Sequence, residues 1–130
     1  MNNDRRNYQR LSIVDVPVLL CLDDSEIEGH ISNISELGIG VSVDKDVDLM
    51  KLNIEIDSDI KVVFCDEVFY GDYKDKFVIM CDCTVKHVET VNNNLFLGGT
   101  IDDEDFRNYY KKTRISKLLI RKLADGKVQT

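Results

Sequence analysis

Apolar positions with a two-residue repeat dominate the first hundred residues, and one segment with a helical repeat closes the chain. Residues 13–22 (IVDVPVLLCL) are dense in branched side chains, and residues 26–34 alternate Ile27, Gly29 and Ile31 with polar neighbours, so both are predicted strands. Pro17, the only proline, has no N–H to give and belongs at a strand edge or a bulge. After a turn at residues 35–38, Ile39, Val41 and Val43 alternate with Gly40, Ser42 and Asp44, which predicts an antiparallel partner strand. Residues 45–59 are ambiguous: Leu52, Ile54 and Ile56 alternate, but among many acidic residues. Further strands are predicted over 60–69 and 77–88, flanking the polar turn GDYKDK, and over 95–101, entered through Asn92, Asn93 and Asn94. Six short strands joined by turns predict a small sandwich or barrel.

From Asp102 the period changes. Asp102, Asp103, Glu104 and Asp105 precede Phe106, and Lys117, Arg121 and Lys122 lie near the far end, which is the charge order that a helix dipole favours. Ile115, Leu118, Leu119 and Leu123 fall on one helical face, and Gly126 marks the stop. A terminal amphipathic helix is predicted, with that face packed onto the sheet in preference to a partner and a basic side at Lys111, Lys112, Arg114 and Lys117.

The chain has 130 residues, 43% hydrophobic and 32% charged, enough for one domain with its own core. The predicted organisation is an arginine-bearing arm over 1–12, flexible and terminal, a β-structure over 13–101 and a helix over 102–124. The longest nearly uncharged run, 13–22, contains Asp15 and is half the roughly 20 residues that span a bilayer. MNNDRRNYQR has no apolar stretch after its basic residues, so no secretory signal is expected. A cytoplasmic protein without membrane insertion is expected. Cys21, Cys65, Cys81 and Cys83 contain no CxxC pair and are expected as free thiols. A zinc site would need two ligands besides Cys81 and Cys83, and His30 and His87 are the only histidines, so buried strand cysteines and no metal or cofactor are expected.

The net charge of −7 argues against DNA or RNA as partners, because affinity for a phosphate backbone needs a clustered positive surface. Its distribution says more. Residues 11–106 carry 6 basic and 22 acidic side chains, a local net charge of −16, whereas residues 1–10 carry +2 and residues 107–130 carry +7. A small anion finds its attraction only at the two ends.

Catalytic signatures are absent: there is no GxSxG, no phosphate loop, no HExxH and no GxGxxG. A histidine paired with a cysteine, His87 for instance, has no motif behind it, and a non-catalytic protein is expected. Two features stand above background. Arg6 and Arg10 are four apart with Arg5 beside them, in a segment too polar for a core. A guanidinium is planar, permanently charged and forked, which suits phosphate oxygens and the guanine edge, and it stacks on purines. Taken alone, a solvated basic terminus is the plainer explanation. Asn33 and Ser35 are two apart and so share a strand face, where an amide and a hydroxyl reach a base edge or phosphate, and Gly38 supplies the backbone freedom of the following turn.

Together, RxxxR at Arg6 and Arg10 followed by NxSxxG at Asn33, Ser35 and Gly38 resembles the PilZ domain family, and the strand pattern, the glycine-bearing last strand (Leu97, Gly98, Gly99, Thr100, Ile101) and the terminal helix extend the resemblance over nearly the whole chain. The resemblance implies a six-stranded antiparallel β-barrel of the split kind with a C-terminal helix. It also implies binding of the bacterial second messenger cyclic di-GMP. Arg6 and Arg10 would be the clamp, Arg5 a helper, Asn33 a base-edge contact, Ser35 a phosphate or base contact and Gly38 the turn former. The expected role is that of a receptor and adaptor acting on a protein effector. The alternative is a PilZ-like interaction module that does not bind nucleotide.

Overall fold

The structure, a computed structural model, describes residues 10–23, 25–43, 54–92 and 94–124. Six strands precede one helix: β1 (Leu11–Cys21), β2 (Glu26–Ser35), β3 (Gly38–Val43), β4 (Asp59–Tyr70), β5 (Tyr73–Val91), β6 (Asn94–Thr100) and α1 (Glu104–Ala124). The strands close into a barrel in the order β1-β2-β3-β6-β5-β4. Every neighbouring pair is antiparallel. The all-β barrel with a C-terminal helix is therefore the observed architecture. Closure is uneven: β4 pairs with β5 over its whole length, from Asp59↔Thr84 to Tyr70↔Tyr73, whereas β1 meets β4 only at Leu19↔Val63, Leu20↔Val62 and Cys21↔Lys61.

Strand alternation sorts the side chains. Ile27, Ile31, Ile39, Val41, Val43, Val62, Ile79, Cys81, Cys83, Val85, Leu95 and Leu97 fill the barrel, while their strand neighbours lie on the outside. β1 opens at Leu11, which is buried and pairs with Ile34, two residues before the expected start at 13. Of the ambiguous residues 45–59, 45–53 lie outside the described residues, and 54–58 lead into β4. The GDYKDK turn is shorter than expected. Gly71 adopts φ 62°, so Gly71 and Asp72 alone reverse the chain, and Tyr73–Val91 runs as one strand.

The helix start follows the acidic run. Asp103 Oδ2 accepts the backbone N–H of Phe106 at 2.9 Å, capping the first turn, and Glu104 and Asp105 stand against the positive end of the dipole. The face that docks is not the expected one. Phe106, Tyr109, Tyr110, Thr113 and Ser116 are buried, whereas Ile115 and Leu118 are 46% and 43% exposed and Leu119 is half-buried; the side chain of Leu123, and Gly126, lie outside the described residues. The aromatic residues win because they find aromatic partners: the Tyr109 ring lies 5.2 Å from Phe64 and 5.4 Å from Phe77, edge to face. At its tip the Tyr109 hydroxyl donates to Asp66 Oδ2 at 2.8 Å. Burial, reinforced by Asp66, pushes the phenol up and keeps it protonated.

Tyr109→Phe keeps the ring packing and strips Oδ2 of the half-buried Asp66 of its donor, while Oδ1 keeps the Glu67 N–H, so it is expected to destabilise the fold by about 1–3 kcal/mol in urea unfolding. All four cysteines are free thiols. Burial foremost, with the nearby Asp103, pushes Cys81 up to about 12. Burial foremost, with Asp59, pushes Cys83 up to about 11. A thiol-specific disulfide reagent at pH 8 should therefore modify exposed Cys65 readily and reach Cys81 and Cys83 only on unfolding. Because the native state holds these two protons more tightly than the unfolded chain, their contribution to stability is full below pH 9 and is lost as the pH rises through 11 to 12.

Candidate functional site

The NxSxxG segment faces outward because of one inserted residue. Ile27, Gly29 and Ile31 point into the barrel, and unbroken alternation would send Asn33 and Ser35 the same way. Instead, Ile31 pairs with Val41 and Asn33 with the adjacent Gly40, so Ser32 is the extra residue of a β-bulge. Beyond the bulge Ile34 fills the core opposite Ile39, and Asn33 and Ser35, opposite Gly40 and Gly38, share the outer side.

Arg10 stands directly before β1, whose Leu11 and Ser12 pair with Ile34 and Asn33. That pairing brings the arginine to the motif. Its Nη1 donates to Asn33 Oδ1 at 2.7 Å, across 23 positions of sequence. Arg10 is exposed, Asn33 half-buried and Ser35 buried. Arg5 and Arg6 lie outside the described residues, so of the RxxxR pair only Arg10 is seen beside Asn33.

Gly38 plays a different part from the one expected. Its backbone is not in the left-handed region, so freedom of φ is not what the site requires there. Space is: a Cβ at Gly38 would lie 3.1 Å from the Gly99 carbonyl oxygen and 3.1 Å from Ser35 Oγ. The two-residue loop Glu36-Leu37 is tied to the approach of the helix, since the Ile101 N–H donates to the Leu37 carbonyl at 2.9 Å. Tyr110 of α1 is close to the same loop. Its hydroxyl is pushed up by burial first, with Arg114 opposing and Glu36 adding to the rise.

A second bulge lies on β5. Val85 pairs with Gly99 and His87 with Gly98, which leaves Lys86 as the inserted residue. It is anchored from below: Lys86 Nζ meets Asp57 Oδ1 at 2.7 Å, and Val85 exchanges backbone bonds with Asp57 and Ser58. The outcome is that Val88 packs on the core and His87 is exposed. Asn33, Gly40, Gly98 and His87 are then successive register partners across β2, β3, β6 and β5, one row on the outside of the barrel. The sequence named Gly40 and Gly98 only as strand residues and His87 only as a histidine without a catalytic motif, and no local signal places them beside Asn33, because the row exists only once both registers are known.

The same geometry separates His87 from Cys81 and Cys83, which face the core, so the arrangement a histidine–cysteine enzyme needs is not formed by these residues. Among the described residues no group of three or more His, Cys, Asp or Glu side chains could hold a metal ion. No helix of the described residues is long and apolar enough to cross a membrane.

The model of the PilZ domain matches residues 4–109. The chain belongs to the PilZ domain family. No curated protein matches it. Among solved structures this PilZ domain is similar to the PilZ domain with c-di-GMP of YcgR from Escherichia coli, with a TM-score of 0.63 at 14% identity, covering 93% of this chain and 98% of that one. It is also similar to the Bacillus subtilis inhibitor of motility MotI/DgrA (TM-score 0.59, 15% identity, 93% of this chain and 52% of that one). A third is MrkH of K. pneumonia in its c-di-GMP complex (TM-score 0.52, 19% identity, 95% and 54%). The chain thus spans about half the length of MotI/DgrA and MrkH, and at these identities the likeness is one of fold.

Proposed function

We propose that this PilZ domain is a non-catalytic receptor for cyclic di-GMP that passes the signal to a protein effector. The observation that carries the proposal is the 2.7 Å bond from Arg10 to Asn33, which joins the first motif to the second on the outer surface. Two of the similar structures, the YcgR PilZ domain and MrkH, are complexes with c-di-GMP, which supports the same ligand here.

In this proposal Arg5, Arg6 and Arg10 supply the positive charge. The body of residues 11–106, at −16, repels a ligand with two phosphates, so the attraction has to be local and forked. Arg10 spends one of its five N–H donors on Asn33 and keeps the others for phosphate or guanine. Asn33 offers its amide to a base edge, Ser35 a hydroxyl to a phosphate or base, and Gly38 the clearance that lets β3 approach Ser35 and Gly99. The arm over 1–12 closes on the ligand. No cofactor or metal takes part, and the domain works in the cytoplasm, where its four thiols stay reduced.

The output route runs through the turn. Leu37 is bonded to Ile101, two residues before the Asp103 cap of α1, so a change at the turn is felt where the helix begins. The exposed Ile115, Leu118 and Ile120, interspersed with Arg114, Lys117 and Arg121, offer an acidic effector a partly apolar surface.

Calorimetry with cyclic di-GMP tests the receptor. Binding by the parent domain is expected, and Arg10→Ala or Asn33→Ala should each weaken it about tenfold or more, as loss of a charge-assisted or base-edge bond implies. Absence of heat from the parent would leave the alternative, an interaction module of PilZ fold without a nucleotide. Closure of the arm has its own check: trypsin cleavage after Arg5, Arg6 and Arg10 should slow when the ligand is added, and equal rates at saturation would exclude it.

A further inference from the structure

We propose that the outer face of the β4–β5 hairpin is a self-association surface, through which two copies of this chain pair face to face about a twofold axis running along the hairpin between β4 and β5. The pairing is independent of the nucleotide and involves none of the motif residues. Its first sign is in the sequence. Residues 62–65 (VVFC) and 77–81 (FVIMC) are unbroken apolar runs, the pattern of strands covered on both faces. Only one face of each is covered: Val62, Phe64, Phe77, Ile79 and Cys81 are buried. The other face is open, with Val78 66% and Met80 65% exposed. On β2 the outer positions Glu26, Glu28 and His30 are polar, as a solvated face requires, so the apolar outer residues of β4 and β5 stand apart.

The register gathers them. Val63 lies opposite Met80 on one side and Leu19 of β1 on the other, and Cys65 lies opposite Val78, so two adjacent apolar rows cross the face. Where β1 and β4 part, a hollow of about 590 Å3 lies between Pro17, Leu19, Cys65 and Val78. A charged row borders the apolar ones at each end. Lys61 is opposite Asp82, its Nζ 3.2 Å from Oδ1, and Glu67 is opposite Lys76, with Lys74 Nζ 3.9 Å from Glu67 Oε2. Each border thus pairs a cation with an anion across the two strands, in opposite order.

That order selects a second copy as the occupant and fixes the axis. A twofold along the hairpin, midway between its strands, lays β4 of one copy on β5 of the other at the same level. Lys61 then faces the second copy's Asp82, Glu67 faces its Lys76, and Val63 and Cys65 face its Met80 and Val78. Moving the axis onto β4 would set Lys61 on Lys61 and Glu67 on Glu67, two contacts between like charges. Met80 is unbranched and flexible, and above the second copy's Val63 it reaches the hollow beside Leu19. The face measures about 27 Å along β4 from Lys61 to Phe69 and about 15 Å across three strands, roughly 400 Å2 per copy. A standard interface has about 800 Å2 per partner, so the pairing is reversible and concentration-dependent, not obligate.

Sedimentation velocity on the full chain, from about 10 μM to about 1 mM, tests the surface, with thermal melting to establish that each variant folds. Expected are a monomer–dimer equilibrium in the parent and a dissociation constant about tenfold or more higher for Met80→Asp, which sets a carboxylate on the second copy's Val63. Lys61→Glu and Asp82→Lys should each self-associate less, because each brings like charges face to face. An equimolar mixture of those two variants should form a heterodimer of near-parental affinity, since both contacts are again between opposites. A parent that stays monomeric at the highest concentration overturns the proposal and leaves the face to a different protein. Parent-like association in folded Met80→Asp also overturns it. A mixture that associates no better than its components overturns the twofold along the hairpin, and with it the pairing.

Discussion

A strand that fills a core with every second residue commits the others to the outside for its whole length, and only an inserted residue can exchange the two sets. This domain uses that exchange at the outer surface where its motifs meet. Ile27 and Ile31 on β2, and Phe77, Ile79, Cys81, Cys83 and Val85 on β5, build the barrel interior. One insertion in each strand then turns Asn33 and His87 outward and sends Ile34 and Val88 inward in their place. Core and outer surface are thereby drawn from the same strands without competing for the same positions.

The helix is fastened to the barrel by few residues of large area. Phe106 and Tyr109 are wholly enclosed, and Phe64, Phe77 and Tyr109 meet edge to face. The Asp103 cap and the Asp66 acceptor satisfy the polar groups that this burial would otherwise strand. Because the anchoring side chains lie in the first half of α1, the barrel is closed there and Ile115, Leu118 and Ile120 of the second half are left to solvent.

Most of the architecture was legible in the chain. Alternation in residues 26–34, 39–43 and 77–88 located β2, β3 and β5, and the acidic run before Phe106 located the start of α1. The docking face was not, because Ile115, Leu118 and Leu119 are more hydrophobic than Tyr109, Tyr110 and Thr113, and hydropathy says nothing about the rings of Phe64 and Phe77 that await a helix. Of the site, the motif residues Arg10, Asn33, Ser35 and Gly38 were legible as residues, and their meeting was not: it depends on the Leu11↔Ile34 register and on the bulge at Ser32. Gly38 was identified for its backbone, yet the constraint on it is the approach of Ser35 and Gly99.

The bond between Arg10 and Asn33 also bears on when the cost of ordering falls. Restraining a long side chain costs up to about 2 kcal/mol of rotamer freedom. In this molecule the guanidinium is gathered against the strand by a bond within the fold itself, so that part of the cost is met during folding. A dinucleotide arriving at such a surface would encounter one preorganised cation, and its binding would be opposed by that much less entropy.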